Sequence, residues 1–308
     1  MAHGVYSKDK VNGERVPLSS VILKNVEKNL MNLRGYSFIT IDEAERMLTG
    51  SIPMRKRCLV LTFDDSLKCH VEVMAPKLEQ WGIPATFYIS TDIIEHRRPY
   101  WWLRLEYAVS KIREHSISVI LPNDKRFIIY PAQKWELRRK LTIELYTSFK
   151  PSQCDKVVES VEAQIGISSK GIENNSPYAG SMTWEDVREL DDKGFTIGSH
   201  TCSHPNLALL RSEELRFELE QSKRILEKVC KKPCRHLSYP HSQHTDEVCA
   251  AARAAGYATA VTTVFAYGNF KGDDLFRLRR FPLPKPAYKL PFELCRFEVS
   301  SDLAHLNP

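Results

Sequence analysis

Two short stretches carry the residues best suited to chemistry: Asp64 and Asp65 in "LVLTFDDS", and His200 and His204 in "GSHTCSHP". The acidic pair ends an apolar run, Cys58 to Phe63, of the kind that forms a strand buried on both faces. Two adjacent carboxylates at a poorly hydrated strand end repel and lose water, so a cation or strong donors are expected beside them. The plain alternative is a solvated strand end whose Asp65 or Ser66 caps the next helix. The histidines, spaced i, i+4 after a second apolar run, would lie on one face of a helical turn and share one ion. An Asp-His-His set suits Zn²⁺ or another divalent first-row metal, with positions left for water and substrate.

Those clusters need a scaffold that brings distant strand ends together. Strand, helix and strand follow one another from 58 to 90, a βαβ unit with a parallel sheet. The rhythm returns after 180: a helix opened by a Thr183/Asp186 capping box, the strand "FTIGS", a long helix after Ser212 and the strand "RHLSY". The Ala-rich helix "DEVCAAARAAGY" and the strands "ATAVTT" and "FRLRRFPL" complete it. Between these parts, residues 96–180 form a mostly helical insertion with a small hairpin, the expected source of substrate-specific walls. The whole chain, 1–308, is read as one domain carrying that insertion.

Composition narrows the function classes. With 308 residues, 43% hydrophobic and 27% charged, the chain has an ordinary globular composition and is long enough for one large α/β domain or two small ones. Its formal charge of +6 comes from basic residues mixed with acidic ones, which argues against a nucleic-acid partner and allows an anionic or glycan ligand. The eight cysteines are scattered, as buried reduced thiols are, and the Cys230/Cys234 pair is read as structural. No apolar stretch is long enough for a membrane span and the first residues lack the core of a secretory signal, so the chain as given is expected in the cytoplasm.

"TFDDS" at 62–66 and "HTCSH" at 200–204 together resemble the T-F-D-D and H-[ST]-x-x-H motifs of the polysaccharide deacetylases, the NodB-homology carbohydrate esterases. The resemblance covers roughly 58–90 and 180–282, with "HGV" at 3–5 as the opening strand. It implies an α/β fold, a distorted (β/α) barrel of about seven strands with its site at the strands' C-terminal ends. It makes Asp64 the general base and Asp65, His200 and His204 the ligands of a divalent ion, Zn²⁺ first, with Co²⁺ or Ni²⁺ as alternatives. One carboxylate then ligates while its neighbour takes a proton from the attacking water. The implied reaction is hydrolysis of a linear amide, chiefly N-deacetylation of an N-acetylated amino sugar, so the expected partner is carbohydrate.

Departures from the family pattern fall at three places. In "SYPHSQH", His241 and Ser242 stand where an aromatic residue and Gly are usual; His241 is assigned the backbone oxyanion donor and Tyr239 a site wall. Ser66 replaces a Gly and would be strained at positive φ. The general acid is left among His305, in a late "LAH", His241 and His244. Of Arg277, Arg279 and Arg280, strand alternation lets only some face the barrel to orient Asp64 or bind an anion. Trp101, Trp102 and Tyr107 either stack on sugar or pack the insertion. Two other functions share these motifs: a small-molecule amidohydrolase or deformylase, and a carbohydrate-binding relative without catalysis. A closed pocket built by 96–180 would favour a small substrate, and an open groove a polymer.

Overall fold

The computed structural model describes residues 20–97, 99–168, 180–263 and 268–290, with short pieces outside them. Its centre is a six-stranded parallel sheet: β1 (Leu61–Phe63), β2 (Ala85–Ile89), β3 (Thr196–Ser199), β4 (His236–Ser238), β5 (Thr259–Thr262) and β6 (Leu278–Arg279). The strands lie side by side in chain order, the arrangement of successive β-α units. The run into β1 extends this edge, because Cys58–Leu59 pairs in parallel with Ser37–Phe38.

The sheet curls until its two edges meet. Asp64 directly follows β1 and Arg280 directly follows β6, at opposite edges, yet their side chains are 2.8 Å apart. β1, β2 and β4 are buried along their whole length, which explains the largely apolar sequences of β1 and β2.

Helices cover the outside. Between β1 and β2, a π-helical turn at His70–Met74 runs into an α-helix, Ala75–Trp81, with Pro76 in its first turn and Gly82 closing it at φ 64°. Pro lacks an N–H to continue the preceding ladder, so the wide turn falls just before it. Thr183 and Asp186 exchange hydrogen bonds at the start of Trp184–Asp192, the capping box read from the sequence. Helix Ser212–Cys230 buries Leu215, Leu219 and Leu226 against the barrel.

Between β2 and β3 the chain builds helices α1 (Trp101–Lys111), α2 (Lys134–Ser148) and α3 (Pro151–Gln164), with the antiparallel hairpin Ile117–Ile120/Arg126–Ile129. These elements enclose an apolar cluster of their own, including Leu105, Val119, Leu141, Leu145 and Val158. Arg104 ties α1 to α3 through Asp155 and Glu162. The described cysteines are free thiols. Among the described residues, no helix is long and apolar enough to cross a membrane.

Candidate active site

Every motif residue singled out above and described by the structure stands at the C-terminal ends of the strands. Asp64 and Asp65 follow β1, His200 follows β3, and Ser238 closes β4. Asp65 Oδ1 lies 3.5 Å from His200 Nε2 and 3.4 Å from His204 Nε2, with all three side chains buried. Donors about 2.0–2.2 Å from an ion at tetrahedral angles are about 3.3–3.6 Å apart, so both Asp65–His separations suit a Zn²⁺-sized cation, and all three ligand atoms lie within 4.8 Å of one another. The tautomer fits as well. His200 Nδ1 is 2.7 Å from the Ser238 carbonyl, which can only accept, so Nδ1 carries the proton and Nε2 keeps its lone pair toward Asp65.

The histidines do not converge through a helical turn, as their spacing predicts. Residues 200–204 form a loop with Thr201 at φ 67° and His204 at φ 58°. Glu218, from the helix Ser212–Cys230 (hereafter α4), holds it by accepting from Cys202 N (2.8 Å), Ser203 N (3.0 Å) and Ser203 Oγ (2.5 Å). Three bonds to one buried carboxylate replace the helical hydrogen bonds the loop lacks. The sequence held a signal for it: Glu218 sits on the same face as Leu215, Leu219 and Leu226, where a charge is out of place.

Burial raises the Glu218 carboxyl above its ordinary 4.5 despite those donors. The folded protein therefore binds a proton there that the unfolded chain has already lost, and stability falls as pH rises from about 4.5 through the folded value. Glu218→Ala removes that pH dependence. It also slackens the loop, and a loss of about ten-fold or more in divalent-ion affinity is expected by titration calorimetry.

Asp64 is placed for a different task. Arg280 grips its carboxylate with two parallel bonds of 2.8 Å, and Ser238 Oγ donates to Oδ2 at 3.1 Å. The same guanidinium reaches Thr62 Oγ1 and Ser238 Oγ, both at 2.9 Å. Burial alone would lower the Arg280 pKa, but the charge and hydrogen bonds of Asp64 outweigh it and raise it. The two carboxylates thus face different surroundings: Asp64 is gripped by the Arg280 guanidinium, and Asp65 faces His200 and His204. Of the three arginines, Arg277 pairs with Asp246 and Arg279 with Asp273, leaving Arg280 to the site. Ser238 escaped the sequence reading although it joins both halves, its hydroxyl on Asp64 and its carbonyl on His200.

Backbone conformation concentrates unusual geometry here. Asp65, Ser66, Thr201, His204, His241 and Ser242 all have positive φ, between 52° and 80°. Such conformations cost energy for residues with a Cβ and persist where surrounding contacts over-determine them. Ser66 adopts φ 52°, the strained conformation foreseen for it, and its hydroxyl accepts the buried Ser90 N–H at 2.8 Å. Glycine could not supply that acceptor. Ser66→Ala keeps the strain and strips Ser90 of its partner, so urea denaturation is expected to show a loss of about 1–3 kcal/mol.

His241 lines the cavity above the cluster, its ring 4.6 Å from those of both His204 and Tyr146. Tyr239 also contributes to the lining, but its buried hydroxyl donates to the Phe276 carbonyl at 3.0 Å and its ring stacks on His244. His305 lies outside the described residues. Trp101 is buried among the apolar residues of α1–α3, whereas Trp102 and Tyr146 reach the cavity.

The family model described as polysaccharide deacetylase matches residues 51–135 and 159–260, more than half of the chain, and passes over most of α2 and half of α3. The Bacillus subtilis (strain 168) protein YxkH, whose name places it among polysaccharide deacetylases, is 30% identical over 229 residues. That match covers 74% of this chain and 53% of YxkH, so the chain spans about half the length of its curated relative. Among solved structures, Streptococcus pyogenes deacetylase PplD in complex with acetate aligns over 95% of this chain and 94% of its own, with TM-score 0.62 and 17% identity. IcaB from Ammonifex degensii aligns over 96% of both chains, with TM-score 0.59 and 15% identity. The structural likenesses establish the distorted-barrel fold, and with the family model spread across the strands that carry Asp64, Asp65, His200 and His204, the chain belongs to the polysaccharide deacetylase family.

Proposed function

We propose that the chain is a metal-dependent hydrolase that removes the acetyl group from an N-acetylated amino sugar. The observation that carries this reading is the pairing of an Asp65-His200-His204 triangle sized for one divalent ion with an adjacent carboxylate, Asp64, fixed by Arg280. Asp65, His200 and His204 hold the ion, Zn²⁺ by donor chemistry, with Co²⁺ or Ni²⁺ able to take its place. When bound, the ion supplies Lewis-acid polarisation of the acyl oxygen and of the attacking water.

The remaining steps belong to the protein's own groups. Asp64 accepts the proton of the water as it attacks the amide carbon, and the two Arg280 bonds hold the carboxylate at a fixed angle while it does so. The backbone N–H of His241, on the turn after β4, faces the developing oxyanion. The leaving amine takes a proton from a histidine, for which His241 is the ring at the cavity and beside His204. Burial of Asp64 and Asp65 keeps bulk water from screening these interactions.

The test is acetate release from N-acetylglucosamine oligomers by metal-stripped protein, before and after Zn²⁺ or Co²⁺ is restored. Restored release that His200→Ala abolishes supports the reading. Ion binding through the triangle with no acetate from any N-acetyl sugar overturns the substrate class.

A further inference from the structure

The cavity over the Asp65-His200-His204 cluster has a volume of about 350 Å³, at the lower end of the roughly 300–1,000 Å³ typical of small-molecule sites. Its base is the barrel, but one flank is α1 and α2, which contribute Trp102, Glu106, Arg138, Thr142 and Tyr146. The Trp102 ring lies 4.7 Å from that of His204, and Tyr146 stacks on His241 with planes 10° apart. This wall therefore stands directly against the reacting centre. A long glycan laid across the strand ends would meet this wall on the α1/α2 flank.

The wall is also polar in a specific way. Arg138 donates to Glu106 Oε2 at 2.5 Å and to the Trp102 carbonyl at 3.4 Å, while its Nε is buried without a hydrogen-bond partner. The pair is part-buried and links α2 to α1, and beyond that tie it leaves a buried Arg138 donor unsatisfied, a cost that a purely structural link does not require. A carboxylate beside a guanidinium presents acceptors and donors side by side, matching neighbouring hydroxyls on a sugar ring, and the aromatic faces match its C–H side.

We infer that α1 and α2 form a subsite for one N-acetylated sugar, free or at a chain end, whose hydroxyls are read by the Glu106–Arg138 pair, and that internal units of a long polymer are excluded. This rests on the deacetylase reading and deepens it. Glu106 and Arg138 act as specificity-determining residues, and their loss should appear chiefly in KM.

The experiment gives the metal-loaded full chain N-acetylglucosamine and its hexamer, maps deacetylated units by mass spectrometry, and follows binding separately by saturation-transfer NMR. The expected result is one acetate per hexamer, from an end unit. Glu106→Gln and Arg138→Lys should raise KM roughly ten- to a hundred-fold with little change in kcat. Arg138→Lys keeps the charge, and circular dichroism verifies that both variants are folded. Acetate from internal units, or an unchanged KM in both variants, overturns the subsite while leaving the deacetylase reading intact. End-unit saturation that the variants lose, with no acetate from either sugar, supports the subsite and overturns the deacetylase reading. Neither saturation nor acetate overturns both.

Discussion

In Asp64→Asn, kcat for amide hydrolysis is expected to fall by roughly 10²–10⁴, the contribution of a well-placed general base, while the protein still binds one divalent ion. Asn is nearly isosteric and can accept one of the Arg280 bonds, but it cannot take a proton at neutral pH. The proposed ion site of Asp65, His200 and His204 does not include Asp64, so its separations of 3.4 and 3.5 Å from Asp65 to the two histidines should persist. That separation is what makes the variant informative. Single-turnover kinetics with ion content measured on the same sample checks both halves. A kcat indistinguishable from wild type would sink the assignment of Asp64 as base, and loss of the ion would show that the two carboxylates act together as ligands.

What could be read from the chain and what could not divides along sequence distance. Asp64 with Asp65, and His200 with His204, are each neighbours within five residues, and each pair breaks a local rule visible in a single strand. The order of strands was legible for the same reason, because β-α units repeat locally and their neighbours in sequence are neighbours in the sheet. The choice of Arg280 over Arg277 and Arg279 was not, since it depends on how far the sheet curls before its edges meet, 216 residues apart. Ser238 was hidden because serine at a strand end has many ordinary explanations. The Glu106–Arg138 pair was hidden because it joins two helices that have no local pattern pointing at each other. The helical turn expected at 200–204 failed for a physical reason: a buried carboxylate on another helix satisfies the loop's N–H groups better than the loop could itself.

Arg280→Met should be the most destabilising of these substitutions. It removes the Arg280 bonds from Asp64, whose side chain is buried and 3% exposed, and breaking a buried pair from one side costs about 3–5 kcal/mol. Part of any loss could instead come from packing, since Arg280 also lies over the Tyr88 ring at 5.5 Å. Only the first of these causes depends on pH. Stripped of the Arg280 bonds, the buried carboxylate gains a proton more readily in the folded variant than in the unfolded chain, so the folded state binds more protons and the variant's stability falls as pH rises through that raised value. The gap to wild type is therefore largest near neutrality and narrows in acid. A pure packing loss would stay constant with pH. The double variant Arg280→Met with Asp64→Asn removes charge from both sides, so its loss should be smaller than the sum of the single losses by about 1–3 kcal/mol. Urea denaturation of the four proteins between pH 5 and pH 8 completes the cycle. Additive losses with no pH dependence would mean that Arg280 serves chiefly as packing, and that something other than its charge keeps Asp64 ionised at the site.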